Sequence, residues 1–433
     1  MERVSMDSLA EHAGDRVTVA GWLHRRRELS SVTFLVLRDR SGLGQAVITD
    51  PGPIAQAARL TPESVLTVTG DVVATPQAPG GAELHDVRID LLAAPDQPPP
   101  VELWRPELSL QLPVLLDLAP LTLRHPRRKA LFELAAASIA GFRAALDELG
   151  FTEIQTPKVV ASATEGGANV FELDYFGRPA FLAQSPQFYK QTMVAVFERV
   201  YETGPVFRAE PHDTPRHLSE YVSLDAELEF IDDHRDVMAV LRDALAGMTR
   251  AIRDRAEHAL TLLDLRLPEI PAEIPAVAFG DAQRLISGAT GERLDAEPDL
   301  APAHERWLCE WAARELGSEL LFVTGYPMVK RPFYTHPDPA APERSNSFDL
   351  LFRGLELTTG GQRLHRYEDY IAALHARGLD PEPFDGYLQA FRYGMPPHGG
   401  FAIGLERWVA RLTGAANVRE TTLFPRDLHR LTP

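Results

Sequence analysis

The sequence predicts a multidomain chain: a small five-stranded β-barrel comes first, followed by a larger α+β domain on a mostly antiparallel sheet. Three observations carry this. At 433 residues the chain exceeds what one core usually holds, about 150 residues per domain. Residues 16–94 read as short alternating strands, whereas sustained helical periodicity begins at residue 125. The later strands alternate with helices irregularly, without the even βαβ rhythm of a doubly wound sheet.

The barrel strands are "RVTVAGWLH" (16–24), "SVTFLVLRD" (31–39), "GQAVITD" (44–50), "SVLTVTGDVVAT" (64–75) and "ELHDVRIDLLAA" (83–94), with a helix "PIAQAARL" (53–60) between the third and fourth. Five strands with a helix at that position is the pattern of an OB-fold, a barrel that often binds oligonucleotides. The stretch "PDQPPPVELWRPELSLQLPVLLDLAP" (95–120) is proline-rich with little periodicity and reads as a linker or hinge. The boundaries expected are 1–96 for the barrel, 97–127 for the hinge and 128–433 for the second domain. That domain opens on "HPRRKALFELAAASIAGFRAALDELGF" (125–151), helical for about five turns and ended by Gly150. Strands follow at 151–160, 180–185, 200–210, 221–230, 319–326, 347–360 and 399–408.

Formal net charge is −17, which argues against indiscriminate polyanion binding but leaves room for a local basic patch. One such patch is "HRRRELSSVTFLVLRDR" (24–40), where Arg25, Arg26 and Arg27 precede a strand. The polar start "MERVSMDSLAEHAGDRV" and the lack of any apolar run near the roughly 18 residues that span a bilayer predict a cytoplasmic chain with no membrane association. The single cysteine, Cys309, excludes an internal disulfide framework and reads as a thiol buried in a helix.

The most informative stretch is "GPVFRAEPHDTPRHLSEYVSLDAELEF" (204–230). Arg208 and Glu210 stand two apart on a strand and share a face, as do Asp225 and Glu227 on the returning strand. The turn-rich loop between presents Arg216 and His217 near its tip. This suits a polyphosphate: one fixed arginine, a mobile cationic pair, and carboxylates behind. It contains no G-x-x-x-x-G-K-[ST] and so is no P-loop.

That strand-loop-strand resembles motif 2 of the class II aminoacyl-tRNA synthetases, "GGFAIGLERWVARL" (399–412) resembles their motif 3, and the helix ending in "GFTEIQTPKVV" with Pro157 resembles motif 1. The segments "GWLHRRRELSSVTFLVLRDRSGLGQAV", "QSPQFYKQ" and "GLELTTGGQR" narrow the resemblance to the aspartyl branch, over essentially the whole chain. The resemblance implies an ATP-dependent ligase that forms aspartyl-adenylate and transfers aspartate to the 3′ end of tRNA. It implies a catalytic set of Arg208, Glu210 and Arg407. Arg208 would lie on the α-phosphate of ATP, Arg216 and His217 on the γ-phosphate, and Tyr221 and Arg407 on either face of adenine. Asp349, Glu356 and Thr359 would hold Mg2+, a hard cation that oxygen ligands suit. Lys190 and Arg363 would clamp the aspartate side chain with Asp225 orienting them, and Glu165, Ser185 and Gln187 would surround the α-amino group. Two cations facing one carboxylate would be left unpaired by an amide, so asparagine should be rejected. In the barrel, Phe34 would stack on an anticodon base while Arg27 and Gln45 read base edges.

The interval between motifs 2 and 3 is too short for a large inserted domain, so the chain resembles the compact archaeal type, although its Ala- and Pro-rich composition fits a high-GC bacterium. Compact bacterial copies are often non-discriminating, which implies tRNA-Asp and tRNA-Asn as partners, a functional link to an amidotransferase, and a homodimer built across motif 1. His24 and the loop "TPQAPGGAE" (75–83) flank the anticodon pocket and are expected to bear on that choice. The alternatives are a discriminating enzyme for tRNA-Asp alone and a catalytically silent RNA-binding paralogue.

Overall fold

The computed structural model describes residues 3–161, 169–211 and 213–432. The chain divides into two compact units, Met1–Lys129 and Ala130–Pro433.

In the first unit, strands β1 (Arg16–Glu28), β2 (Thr33–Arg38), β3 (Leu43–Ile48), β4 (Val65–Ala74) and β5 (Ala82–Ala93) close a barrel in the order β1-β2-β3-β5-β4. Alternation sends Val17, Val19, Leu35, Leu37, Leu66 and Val68 into one apolar core. Strand β1 runs four residues past the expected 16–24, because a bulge at His24 lets Arg25–Glu28 keep pairing with β2. The bulge turns Leu23 and His24 inward together, and both are buried. His24 Nδ1 faces Arg38 at 3.1 Å, and Arg38 forms a two-pronged pair with Glu63 at 2.9 Å on each prong.

Burial, helped by the charge of Arg38, lowers the His24 imidazole to about 4. A base whose folded pKa is depressed below its unfolded 6.5 contributes stability above 6.5 and loses it as pH falls toward 4. Between pH 7 and 5 the parent chain should lose about 2 kcal/mol through this group. In thermal unfolding across that range, His24→Gln should show a flatter pH slope than the parent.

The segment expected as a bare hinge falls within the first unit and carries two short helices, Leu112–Asp117 and Ala119–Thr122. Leu115, Leu116 and Ala119 there are buried, which supplies order where sequence periodicity was lacking.

Among the described residues the second unit holds eleven further strands. They are β6 (Thr152–Glu153), β7 (Val159–Val160), β8 (Glu172–Tyr175), β9 (Arg178–Leu182), β10 (Val200–Phe207), β11 (Glu220–Glu229), β12 (Ala276–Ala278), β13 (Leu320–Thr324), β14 (Ser347–Phe352), β15 (Leu355–Gln362) and β16 (His398–Gly404). Eight of them form a sheet in the order β12-β13-β14-β15-β16-β11-β10-β6, antiparallel except at its two edge pairings. The strand expected over 151–160 is split: β6 joins this sheet, while β7 joins β9 and β8 in a separate small sheet. Between them Thr156 turns its backbone N–H to the Glu202 carboxylate, and Pro157 has none to offer.

The helices Pro126–Glu148 and His234–Arg255 contribute Leu134, Phe142, Leu241, Leu245 and Met248 to the core against the sheet. The first ends where Gly150 takes φ +79°, and the second begins at a capping box on Asp233. Cys309 lies buried in the helix Pro302–Trp311, and burial pushes its thiol up to about 11.

Candidate active site

Strand register assembles the site. Asp225 of β11 stands opposite Ala402 of β16, Ala402 opposite Thr359 of β15, and Thr359 opposite Asp349 of β14. The next row runs Glu227, Gly400, Gly361 and Ser347. A side chain at Gly400 would collide with the Glu227 carboxylate and the Ala226 carbonyl, so glycine is required for that close approach. Beside these rows opens a cavity of ≈ 330 Å³ whose described lining carries seven lysines and arginines against three glutamates, a local reversal of the chain's −17.

Twelve of the expected residues line this cavity: Ser185, Gln187, Lys190 and Arg363 at one end, and Arg208, Glu210, Arg216, His217, Tyr221, Glu356, Thr359 and Arg407 along the rest. Asp225 and Asp349 are buried behind the wall, and Glu165 lies outside the described residues.

Strand β10 stops at Phe207, so Arg208 and Glu210 do not share a strand face as expected. Arg208 N–H still bonds Ser219, but Ala209 N–H turns away to the Asn169 carbonyl. The two side chains meet nonetheless: Arg208 is 3.6 Å from Glu210, and its guanidinium lies 5.9 Å from the Tyr221 ring. Each of the two loop side chains faces a carboxylate. His217 Nε2 is 3.7 Å from Glu210, and Arg216 is 3.5 Å from Glu305. Arg407 reaches the Glu356 carbonyl at 3.4 Å, and the preceding Glu406 accepts the Val222 N–H at 3.1 Å, tying the helix Leu405–Thr413 to β11. Burial pushes the Glu406 carboxyl up to about 7.

At the other end Lys190, 1 % exposed, gives its ammonium to Asp225 at 3.0 Å, the Phe401 carbonyl at 3.2 Å and Glu227 at 3.3 Å. Arg363 bonds Glu227 through Nε at 3.0 Å and the Gly400 carbonyl through Nη2 at 3.0 Å. Lys190 and Arg363, expected to clamp a substrate carboxylate with Asp225 orienting them, both reach this end of the cavity. Both already have carboxylate partners, and the four charges sum to zero. Lys190 donates to Asp225 and the Phe401 carbonyl and only ion-pairs with Glu227, whose Oε2 has no hydrogen-bond donor among the described residues, whereas Arg363 Nη1 meets no acceptor among the described residues. Rejection of an amide therefore rests on Arg363. Burial would raise the Glu227 carboxyl, but Arg363 and then Lys190 hold it below the ordinary carboxylate range.

Thr359 donates to Glu356 at 2.9 Å and also touches Asp349, so the three expected metal ligands do cluster. Asp349 pairs with Arg331 at 3.0 Å. Burial raises the Asp349 carboxyl, with Arg331 opposing and Glu356 adding to the rise. A pocket that penalises its own negative charge and offers only oxygen donors fits a hard cation. Among the described residues no three His, Cys, Asp or Glu side chains gather as a metal cage, so magnesium would take much of its coordination from water and phosphate.

On the barrel, Phe34 lies opposite Arg27 in register and outside the apolar core, with the guanidinium 5.4 Å from the ring. Gln45, two strands from Arg27, donates to Glu83 at 2.9 Å. The three arginines expected as one basic patch have separate employment. Arg26 donates to the Ala57, Ala58 and Leu60 carbonyls at the end of the barrel helix, and Arg25 lies 4.0 Å over Trp104. Arg27 alone of the three is exposed. Because Phe34 is no core residue, Phe34→Ala should leave stability unchanged, and on the expectation that Phe34 stacks on an anticodon base it should spare adenylate formation while lowering kcat/KM for tRNA charging by about 5- to 150-fold, the range for one lost stacked base. Aminoacylation and pyrophosphate-exchange assays on the same preparation check this.

The sequence reading passed over Glu305, Lys330 and Arg331, and left Glu227 without a role. "VKRPF" was a legible cationic pair before a proline. Glu305 had no local signal, since its contact with Glu356 N–H at 3.0 Å spans 51 positions.

A model of the class II tRNA synthetases (D, K and N) matches residues 113–428, and one of the OB-fold nucleic acid binding domain matches residues 17–92. The chain is similar to a Thermus thermophilus protein named "Aspartate--tRNA(Asp/Asn) ligase", 47% identical with 100% of each chain covered. A Deinococcus radiodurans protein of the same name is 44% identical over 100% of this chain and 99% of its own. Among solved structures, Pyrococcus horikoshii asparaginyl-tRNA synthetase complexed with asparaginyl-adenylate superimposes with a TM-score of 0.93 at 31% identity, with 100% of both chains covered.

Proposed function

The chain belongs to the class II tRNA synthetases of the D, K and N group, and on that premise we propose that it is an ATP-dependent aspartate–tRNA ligase serving both tRNA-Asp and tRNA-Asn. The observation that carries this is the opening of Lys190 and Arg363, paired behind the wall with Asp225 and Glu227, and of Arg208, Arg216 and Arg407 onto a single cavity.

In the first step the α-carboxylate oxygen of aspartate bonds to the α-phosphorus of ATP and the bond to pyrophosphate breaks. Arg208 stabilises the charge gathering on the α-phosphate oxygens, and Glu210 holds Arg208 in place beforehand. Arg216 and His217 exchange Glu305 and Glu210 for the γ-phosphate, while Tyr221 and Arg407 hold adenine. Arg363 Nη1 takes the side-chain carboxylate, Lys190 and Asp225 fix the surrounding charge, and Ser185, Gln187 and Glu165 hold the α-ammonium. Asp349, Glu356 and Thr359 would hold Mg2+, whose chemistry is to neutralise the triphosphate. In the second step a 3′-terminal ribose hydroxyl attacks the aspartyl carbonyl and AMP leaves. Catalysis is positioning and electrostatics, with no covalent enzyme intermediate.

We assign 1–96 to anticodon binding through Arg27, Phe34 and Gln45, 97–127 to a hinge and 128–433 to catalysis. We also propose a cytoplasmic homodimer built across the helix Pro126–Glu148 and the strand after it, linked in function to an amidotransferase that completes Asn-tRNA. No helix among the described residues is long and apolar enough to cross a membrane. Aspartate-dependent ATP–pyrophosphate exchange tests the reading: exchange with aspartate and none with asparagine is expected, and exchange driven by asparagine or lysine overturns it.

A further inference from the structure

Behind the amino-acid end of the cavity lies a buried chain of polar groups that the proposed mechanism does not use. It starts at the Pro396 carbonyl, which can only accept. His398 Nδ1 is 2.9 Å from it, so Nδ1 carries the proton and donates. The ring is fully buried, and burial lowers its pKa to about 4, which keeps it neutral and leaves Nε2 bare. A bare Nε2 needs a donor, and the Gln191 side chain stands 2.9 Å away. The Gln191 NH2 therefore faces His398, and its second hydrogen goes to the Tyr370 hydroxyl at 3.0 Å. Tyr370 in turn donates to the Leu364 carbonyl at 2.8 Å.

With its NH2 fixed on that side, Gln191 Oε1 must accept on the other. It does so from Tyr387 OH and from Gln187 Nε2, each at 2.9 Å. The Gln187 amide is thereby oriented too, and its carbonyl faces Arg363 Nη2 at 3.5 Å. Had the amide been reversed, NH2 would oppose guanidinium, and the arginine would lose an acceptor beside the Gly400 carbonyl that also holds Nη2. One acceptor-only carbonyl thus dictates, through three side chains, which atom Gln187 presents to the arginine.

We propose that Gln191, set by His398 and flanked by Tyr370 and Tyr387, is a positioning residue for the amino-acid site: it orders the Gln187 amide so that Arg363 is held for the substrate's side-chain carboxylate. This rests on the functional reading above and adds to it residues that need not touch substrate.

Two variants separate positioning from packing. Gln191→Met removes the acceptor that orders Gln187. Gln191→Glu keeps an acceptor oxygen toward Gln187, and its other oxygen shares a proton with His398 Nε2. In aspartate-dependent pyrophosphate exchange, Gln191→Met should raise the KM for aspartate by about tenfold or more, with the KM for ATP within about twofold of the parent. Gln191→Glu should return the aspartate KM to within about threefold of the parent, although it loses the same donor to Tyr370. A purely structural role predicts that the two variants fail together, in step with their melting temperatures. That result, or an unchanged aspartate KM in folded Gln191→Met, overturns the proposal. If Gln191→Met does not fold, ring 15N shifts of His398 in the parent decide: protonation at Nδ1 alone is required, and protonation at Nε2 overturns it. A parent enzyme without aspartate-dependent exchange would instead refute the ligase reading.

Discussion

Arg208→Ala should lower kcat/KM for aspartate-dependent pyrophosphate exchange by about 10²- to 10³-fold, the usual effect of removing one preorganised donor from developing charge. The guanidinium sits at the mouth of the hairpin loop, 34% exposed and held by Glu210 and the Tyr221 ring rather than by the core. Its loss should therefore leave the melting temperature nearly unchanged. The loss should fall on kcat more than on either KM, because the charge on the α-phosphate oxygens is greatest in the transition state. Exchange within tenfold of the parent would remove Arg208 from the catalytic set.

The second large effect is expected at Arg363, where function and stability fall together. Arg363→Gln keeps a polar side chain but leaves Glu227, which is fully buried, with Lys190 as its only paired cation among the described residues. Breaking such a pair costs about 3–5 kcal/mol, seen as a marked drop in denaturation midpoint. A carboxylate whose folded pKa is depressed contributes stability above its unfolded value of about 4.5 and loses it as pH falls through the folded value. The variant should therefore show a smaller acid-linked loss than the parent, having less to lose. Aspartate-dependent exchange should vanish, since Arg363 Nη1, which meets no acceptor among the described residues, is gone. A variant that is destabilised yet binds aspartate normally would show that Arg363 is a structural ion-pair partner only.

The two-domain plan, the barrel strands and the motif hairpin were legible because alternation and turn residues are local signals. Lateral placement was not. Nothing in the spacing of Asp225, Thr359 and Asp349 reveals that they form one cross-strand row through Ala402, because register between strands far apart in sequence is set by tertiary packing. The same gap hid Glu227 as a partner of Lys190, although Asp225 was expected beside it. A lysine beside a motif reads as a cation for substrate, and only the fold shows that its donors are already engaged by β11 and β16. The arginine run 25–27 reads as a patch, but the bulge at His24 and the barrel helix give its members three different environments. That bulge also buries His24, expected to bear on tRNA choice, against Arg38. The Gln187–Gln191 pair, by contrast, sits four apart on one helix and was visible in "QSPQFYKQ", though its orientation depends on His398, 207 positions away.

Charging of purified tRNA-Asp and tRNA-Asn transcripts with labelled aspartate, each alongside labelled asparagine, bears most directly on the central claim. Esterification of aspartate to both transcripts at comparable rates, with no asparagine on either, is the predicted result. Asparagine on either transcript would contradict the account of the amino-acid site, and aspartate confined to tRNA-Asp would contradict service to both tRNAs.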